Sequence, residues 1–279
     1  MKKIIILVLL IILAILICSP ILFMLGGSIM GNSELSSYLS PVLDNKSGFV
    51  HWSLIPNYPT LRSFVALLLD SPEFFVMFWN SIKMTLIILI GQLIISVPAA
   101  WGFARLKIPY KNTLFNLYVI LMLMPFQVTM LSNYLTLDKL NLMNTQYSII
   151  LPAIFSTFPV FIIHRFFCSI PVSIIEASKL DGANKFQVFL MIGIPLGSAG
   201  IVSAMILGFL ESWNLIEQPL AFLEDKTLWP LSLYLPNIGL ELAGIAFAAS
   251  IVAIVPSLLI FFGGQEHLEA GIAASALKE

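Results

Sequence analysis

The chain has 279 residues, of which 59% are hydrophobic and only 10% are charged. A soluble domain carries about 25% charged residues because its surface must be wetted, so this composition excludes a water-soluble globule and places much of the surface in lipid. The net charge of −1 gives no sign of a nucleic-acid partner. Cys18 and Cys168 both lie in apolar runs, and their spacing suggests neither a metal site nor a disulfide framework.

The first apolar run extends from Ile4 to Met24 and follows Met1, Lys2 and Lys3. Its 21 residues match the roughly 20 that are needed to cross the hydrocarbon core of a bilayer. A cleaved signal peptide has a shorter apolar stretch and a cleavage site flanked by small residues. We therefore expect this run to be a retained membrane anchor.

Six stretches are long and apolar enough to cross a membrane, and each must be helical because lipid offers no partner for an unpaired backbone group. They cover about residues 4–26, 77–103, 113–134, 146–168, 195–215 and 239–263. Several contain a proline, namely Pro98, Pro125, Pro159 or Pro256, which we expect to produce packing kinks. The predicted fold class is an all-α integral membrane protein with six transmembrane helices.

Lysine and arginine residues predict the orientation, because they are enriched in cytoplasmic loops. One side of the predicted membrane holds Lys2, Lys3, Arg105, Lys107, Lys111, Arg165, Lys179, Lys185 and Lys278. The other side holds Lys46, Arg62, Lys139 and Lys226, with Lys83 near the start of a helix. This bias predicts that both termini are cytoplasmic and that residues 31–76 and 216–238 lie outside.

The sequence offers no recognisable energy source and no catalytic constellation. It has no GxxxxGK[ST] phosphate loop, no HExxH zinc motif and no GxSxG elbow, and its three histidines are scattered. A proton-coupled carrier needs buried carboxylates or histidines as relays. The candidates are Glu211 and Glu241, but both lie near predicted outer helix ends, where a solvated or ion-paired role is the alternative. We expect a transport path without catalysis, metal or cofactor of its own.

The loop between the fourth and fifth spans, residues 170–195, is cytoplasmic by the same charge rule and is predicted to form two short helices at an elbow. Ser173 with Glu176, and Asn184 with Gln187, have the spacing of capping boxes, and Gly182 between them permits a left-handed turn. Apolar positions at i, i+3, i+4 and i+7 then predict one shared face, formed by Phe186, Phe189, Leu190 and Gly193. Such a face either docks a partner or packs back on the helix bundle.

This loop resembles the EAA loop of binding-protein-dependent ABC importers, which has Glu-Ala-Ala, a glycine shortly after, nine residues and then Ile-x-Leu-Pro. The matching residues are Glu176-Ala177-Ser178, Gly182 and, after residues 183–191, Ile192-Gly193-Ile194-Pro195. Ser178 and Ile194 depart conservatively from that pattern. The triplet Asp181-Gly182-Ala183 is similar to the sugar-importer branch of the family.

The resemblance implies that the loop between spans 4 and 5 is a cytoplasmic coupling helix, which docks in a groove of an ATPase subunit. The residues that it assigns to this contact are Glu176, Ala177, Ser178, Asp181, Gly182, Ala183, Phe186, Phe189, Leu190 and Pro195. From the residues alone, the alternative is that Glu176 only completes a helix cap.

Further matches extend the resemblance over about residues 74–279. The motifs that are similar to maltose-type permeases are Asn80-Ser81, Gly102-Phe103-Ala104-Arg105, Met124-Pro125, Trp213-Asn214 and Pro219-Leu220. Candidates for the translocation path are Asn80, Glu211, Trp213 and Asn214. The alternatives are helix–helix polar contacts for the two asparagines and an anchor at the membrane interface for Trp213.

Six spans with a long first outer loop resemble the shorter of the two permease partners in that family. The predicted segments are a first transmembrane helix (1–30), an extracytoplasmic loop (31–76), a five-helix permease core (77–263) that contains the coupling loop (170–195), and a cytoplasmic tail (264–279). The tail from Gly264 is similar to that of the shorter partner, but it is acidic where relatives often carry basic residues.

The resemblance implies a permease subunit in the bilayer of the bacterial cytoplasmic membrane. Its partners would be a second homologous permease, two ATPase subunits that bind ATP and magnesium, and an extracellular solute-binding protein, with no nucleic acid. The expected solute is a sugar or oligosaccharide, and the alternatives are glycerol phosphate or a polyamine. Two other classes stay open: a self-powered carrier, which would need inverted repeats or buried charges, and a membrane enzyme.

Overall fold

The computed structural model describes residues 2–43, 53, 55–107, 109–235 and 242–276. Within these ranges the chain forms helices and no strand, as the all-α prediction requires. Lys46, Glu241 and Lys278, which contributed to the predictions from the sequence, lie outside the described residues.

Fourteen α-helices follow one another along the described ranges. They are α1 (Lys2–Ser28), α2 (Asn32–Leu43), α3 (Arg62–Asp70), α4 (Pro72–Arg105), α5 (Lys111–Met122), α6 (Phe126–Lys139), α7 (Tyr147–Ile154), α8 (Thr157–Ser169), α9 (Val172–Leu180), α10 (Lys185–Val188), α11 (Ile194–Leu196), α12 (Ser198–Trp213), α13 (Glu217–Phe222) and α14 (Ala243–Ala276). A π-helical turn, Phe189–Gly193, joins α10 to α11, and 3₁₀ turns occur at Lys226–Leu228 and Leu231–Leu233.

Four helical segments of the described chain are long and apolar enough to cross a membrane: Lys3–Ser28, Pro72–Arg105, Tyr147–Ser169 and Ala243–Leu268. Two further pairs pass the same test only when joined across a bend, α5 with α6 at 98° and Lys185–Leu196 with α12 at 68°. The number of candidate spans is therefore four, or up to six if each bent pair is one span. These long apolar helices are those of a multi-pass membrane protein.

Two of the expected proline kinks are corrected by the structure. Pro125 does not kink a continuous helix: it is the extended N-cap residue of α6, and α5 has already ended at Met122. Pro159 lies in the first turn of α8, where a missing N–H removes no helical hydrogen bond. Pro98 and Pro256, in contrast, lie inside the continuous helices α4 and α14.

The chain divides into two compact units, of which the first comprises Met1–Phe78 and Leu233–Pro256. Within it Phe23 meets the edge of Phe247, with ring centroids 5.5 Å apart. The Glu34 carboxylate accepts hydrogen bonds from the backbone and side chain of Asn57, at 2.9 and 3.2 Å. The two hydrogen bonds tie Asn57 to Glu34, near the start of α2.

The second unit comprises Trp79–Ser232 and Ser257–Glu279 and contains two apolar clusters. One cluster surrounds Trp101 and Phe167 and takes residues from α4, α8, α9 and α12. The other surrounds Ile88 and Phe222 and takes residues from α4, α6, α7 and α13. Helix α4 contributes to both clusters, so it is the common wall of this unit.

The close approach of α4 to α7 generates a prediction about Gly91. A Cβ at this position would lie 2.6 Å from Ile154 Cδ1 and Cγ1, whereas a Cβ at Gly102, on the same helix, would have Leu106 Cδ1 at 3.9 Å as its nearest neighbour. We expect Gly91→Val to destabilise the purified protein by about 1–3 kcal/mol through overpacking, with Gly102→Val close to wild type. Thermal unfolding in detergent measures both, and equal melting temperatures for the two variants would contradict the packing.

Candidate functional site

The hairpin predicted at residues 170–195 turns at Gly182. Helix α9 ends at Leu180, and Gly182 adopts a positive φ of +86°. The Ala183 N–H donates to the Ser178 carbonyl at 3.0 Å, and the Gly182 N–H donates to the Lys179 carbonyl at 3.1 Å. This pair of bonds is the Schellman arrangement that ends many helices, so the predicted left-handed elbow is confirmed.

One of the two predicted capping boxes is present. Asn184 Oδ1 accepts from the N–H groups of Phe186 and Gln187 at 3.0 and 2.9 Å, and Gln187 Oε1 accepts from the Asn184 N–H at 2.9 Å. The prediction of a capping box between Ser173 and Glu176 is wrong. Pro171 is the N-cap of α9 and provides no side-chain cap, so Ser173 already lies inside the helix.

The predicted shared face of the second short helix is also corrected. The π-helical turn from Phe189 to Gly193 interrupts the 3.6-residue period on which that prediction rested. Phe186 and Leu190 are exposed, whereas Phe189 and Gly193 turn towards Trp101. The hairpin therefore combines both alternatives, since one side is exposed and the other packs on the bundle.

Trp101, near the end of α4, anchors the packed side of the hairpin. Its ring lies edge-on to Phe167 of α8, with centroids 5.1 Å apart, and 5.7 Å from the ring of Phe189. A Cβ at Gly193 would lie 2.7 Å from Trp101 Cζ3, so only glycine fits there without a shift. One buried indole thus joins α4, α8 and the π-helical turn.

Arg105, at the last position of α4, adds a polar clamp to this apolar joint. Its Nε and Nη2 donate to the Phe167 carbonyl at 3.1 and 2.6 Å, and Nη2 also donates to the Ile170 carbonyl. The last four carbonyls of a helix have no partner within it, and a guanidinium satisfies them while matching the negative end of the helix dipole. The base of the hairpin is therefore tied to the end of α4.

The predicted ATPase-coupling residues divide between two environments. Ser178 is buried and donates to the Ile175 carbonyl at 2.8 Å, while Ala183 and Phe189 pack against the Trp101 cluster. The exposed members are Glu176, Ala177, Asp181, Gly182, Phe186, Leu190 and Pro195. Leu180 and Met191, which were not predicted from the sequence, are 89% and 73% exposed and enlarge the apolar surface of the hairpin.

A cavity of about 700 Å³ lies inside the second unit, away from the hairpin residues. Its walls come from α4, from the break between α5 and α6, from the junction of α7 with α8, and from the end of α12. The polar side chains that line it are Gln92, Thr129, Asn133, Ser148, Ser156, Thr157, Glu211, Ser212 and Gln218. A volume of this size accommodates a small-molecule ligand.

Of the four predicted path residues, Glu211 lines this cavity. Asn80 is buried, and its Nδ2 donates to the carbonyls of Thr227 and Trp229 at 2.7 and 3.1 Å, which is a structural role. Asn214 donates to the Leu210 carbonyl at 2.7 Å, and Trp213 is buried with its ring stacked on Phe209. Among these four residues, Glu211 is the one that lines this cavity.

One end of the second unit is built around Asn144. Its Oδ1 accepts from the N–H groups of Glu224 and Asp225 at 3.0 and 2.9 Å, and its own N–H donates to the Phe222 carbonyl. Hydrogen bonds from the Thr227 backbone and hydroxyl lower the pKa of the Asp225 carboxyl. The segment after α13 is thus held by polar contacts to the loop after α6.

Two features were not predicted from the sequence: the position of Gln92 in the cavity wall, and the contact of Trp101 with both α8 and the π-helical turn. Gln92 is buried, its Nε2 donates to the Ala153 carbonyl at 2.9 Å, and its Oε1 has no hydrogen-bond partner. A glutamine in the middle of an apolar span is itself the signal that could have identified it, because such a residue is expensive in lipid. Trp101 gave no comparable signal.

The Arg105 clamp generates a prediction for the hairpin. Hydrogen bonds from a charged donor contribute about 1.5–3 kcal/mol, so Arg105→Gln should speed amide hydrogen exchange in α9 by on the order of tenfold or more. Arg165→Gln is the matched control, because Arg165 contacts the Phe161 ring rather than the hairpin base. Mass-spectrometric exchange on the purified protein measures the effect. Unchanged exchange in Arg105→Gln would contradict the clamp.

Comparison with known proteins agrees with this arrangement. Residues 92–274, more than half of the chain, match the family profile described as the binding-protein-dependent transport system inner membrane component. The arabinooligosaccharides transport system permease protein AraQ of Halalkalibacterium halodurans is 27% identical over 80% of this chain and 81% of its own length.

Two solved structures share the fold. One is a bacterial ABC transporter involved in the import of the acidic polysaccharide alginate, with a TM-score of 0.81, 21% identity and 95% coverage of both chains. The other is a bacterial alginate ABC transporter in complex with an alginate pentasaccharide-bound periplasmic protein, with a TM-score of 0.58, 17% identity and coverage of 74% of this chain and 81% of that one. With the profile match, these findings show that the chain belongs to the inner-membrane components of binding-protein-dependent transport systems.

Proposed function

We propose that this chain is the permease subunit of an ATP-driven importer for a sugar or oligosaccharide. The observation that carries the proposal is the exposed hairpin at residues 170–195, whose base is fixed to α4 and α8 through Trp101 and Arg105. A transport subunit with no ATP site of its own needs a rigid element through which an external motor acts. The hairpin has the exposure and the anchorage for that task.

The six-span topology follows if α5 and α6 form one span and α12 another, with the preceding segment Lys185–Leu196 belonging to the cytoplasmic hairpin. Contacts inside the second unit support the orientation that the charge bias predicts. Arg105 contacts the base of the hairpin, and both are assigned to the cytoplasm. Asn80 and Asn144 contact the segment 224–229, and all of these are assigned to the outside. Both termini of the chain are then cytoplasmic.

Cysteine labelling in intact cells tests this orientation. Cys18 and Cys168 are both exposed and must first be replaced by alanine. We expect a membrane-impermeant maleimide to label Glu224→Cys in intact cells but to label Leu180→Cys only after permeabilisation, since both positions are exposed in the fold. Labelling of Leu180→Cys in intact cells, with Glu224→Cys protected, would reverse the topology.

The partners follow from the hairpin and the family. Two ATPase subunits, which carry ATP and magnesium, receive the hairpins of this chain and of a second, homologous permease. The exposed apolar residues Leu180, Phe186 and Leu190, beside the carboxylates of Glu176 and Asp181, suit a groove on such a subunit. An extracellular binding protein delivers the solute, as a periplasmic protein is bound in the second related structure.

The anchorage of the hairpin suggests how a movement of the ATPase reaches the membrane. Closure of the ATPase subunits displaces the hairpin, and the buried contacts of Trp101 and the clamp of Arg105 transmit this displacement to α4 and α8. Because packed interfaces shift between discrete arrangements rather than deforming continuously, the helices alternate between an inward and an outward opening. The chain itself catalyses no reaction in this scheme.

The sugar assignment rests on the relatives. AraQ is named for arabinooligosaccharides, and both related structures are named for alginate transport. The alternatives are a non-sugar solute, such as glycerol phosphate or a polyamine, and a carrier that needs no ATPase. Measuring transport by the purified chain with and without its ATPase distinguishes the last alternative, because a carrier of that kind would transport the solute without the ATPase.

Gly182 offers a sharp test of coupling. Its φ of +86° is one that a β-branched residue rarely adopts, yet a Cβ added at this position would meet no atom within 4 Å. Valine should therefore strain the elbow, by about 1–2 kcal/mol, without disturbing the bundle. We expect Gly182→Val to reach the membrane at wild-type levels but to lose ATPase association and ATP-driven uptake.

Gly182→Asn is the matched control, because asparagine tolerates the left-handed conformation and is used at such helix ends. It should retain most of the uptake. Membrane abundance, ATPase co-purification and uptake are measured in the same strains. Full activity of Gly182→Val would show that the hairpin is not the coupling element, and loss of that variant from the membrane would make Gly182 a folding residue instead.

A further inference from the structure

The cavity of the second unit lies where helices are interrupted. Its lining includes Met122 and Phe126, on either side of the break between α5 and α6, and Phe155 and Thr157, at the junction of α7 with α8. Helix ends at membrane depth are tolerated only where protein or a polar cavity satisfies their backbone groups. These interruptions place backbone polar groups beside a cavity whose lining mixes apolar and polar side chains.

The helix starts at the cavity leave hydrogen-bond donors available. The N-cap residues of α6 and α8, Pro125 and Ser156, provide no side-chain hydrogen bond to the first turn. The ends of α5 and α7 lie beside those starts, so the positive and negative ends of the helix dipoles offset one another. The backbone around the cavity therefore offers hydrogen bonds to a ligand but contributes no net charge.

The side chains add acceptors and one charge. Glu211 is exposed to the cavity, and Thr129, Asn133 and Ser212 add hydroxyl and amide groups to its lining. Glu217, beside the lining residue Gln218, accepts from Gln127 Nε2 at 2.7 and 2.8 Å and adds a second carboxylate nearby. No lysine, arginine or histidine is among the described residues that line the cavity.

We propose that this cavity binds an uncharged sugar unit, whose hydroxyl groups donate to Glu211, and that Glu211 disfavours acidic sugars. The proposal rests on the proposed import function and narrows its substrate class. It excludes glycerol phosphate and uronic-acid oligosaccharides, because an anion placed beside an uncompensated carboxylate is repelled. The alginate importer, named for an acidic polysaccharide, shares the fold but need not share this selectivity.

The charge selectivity can be measured without knowing the solute. In the assembled transporter, with Cys18 and Cys168 replaced by alanine, Ser212→Cys places a thiol in the cavity lining. Leu140→Cys, on the exposed loop after α6 and outside the proposed docking surface, is the control. We expect an anionic sulfonate methanethiosulfonate to react on the order of tenfold more slowly than a neutral one at Ser212→Cys, and at similar rates at Leu140→Cys. Adding Glu211→Gln should remove the difference.

Sugar protection tests the ligand class in the same samples. Neutral arabinobiose, galactobiose and cellobiose are compared with digalacturonate, without the binding protein, so that the cavity alone selects. We expect at least one neutral disaccharide to slow labelling of Ser212→Cys severalfold and digalacturonate to have no effect.

Equal reaction rates for the two reagents, protection by digalacturonate alone, or no protection by any neutral sugar would each overturn the proposal. Neither readout depends on ATP hydrolysis or on the hairpin. A failure of the cavity proposal is therefore distinguishable from a failure of the coupling proposal, which is read from ATPase association and uptake.

Discussion

The whole architecture depends on the need to satisfy every backbone N–H and C=O group inside hydrocarbon. Long uninterrupted helices such as α4 and α14 meet this requirement within themselves. Where a helix ends, the structure provides another partner: Arg105 donates to carbonyls at the end of α8, and a cavity with both polar and apolar walls lies at the interruptions around Pro125 and Ser156. The two regions to which we assign functions thus occur where the helical hydrogen-bond ladder stops.

The proposed coupling hairpin and the cavity both contact α4 but use different parts of it. Trp101 and Arg105, at its end, hold the hairpin through an apolar contact and a polar clamp. Gln92, more than two turns earlier, contributes to the cavity wall. A displacement at one end of a continuous helix is transmitted to the other with little loss, because shortening it would break its hydrogen bonds. Helix α4 is therefore the direct physical connection between the two regions.

The sequence predicted the features that depend on local chemistry. Apolar length identified the four long apolar helices, and Gly182 and Asn184 indicated the elbow and its cap, because turn and cap preferences involve neighbouring residues only. Prediction failed where distant residues determine the structure. The π-helical turn that begins at Phe189 packs against Trp101, more than 80 residues away. The Ser173 capping box is absent because α9 begins one residue earlier, with Pro171 as its N-cap. Whether Pro125 kinks or ends a helix depends likewise on the space beside it.

The π-helical turn at Phe189–Gly193 has a consequence for how this region tolerates change. It accommodates an additional residue per turn compared with an α-helix, and Phe189 and Gly193 both face Trp101. Because such a turn absorbs one extra residue without redirecting the helical segments on either side, deleting one residue here should close it to the ordinary ladder with those segments still aligned. A side chain at Gly193 is tolerated less well, since its Cβ would lie 2.7 Å from Trp101 Cζ3. The stretch between Asn184 and Pro195 is thus constrained more by the glycine at this contact than by its length.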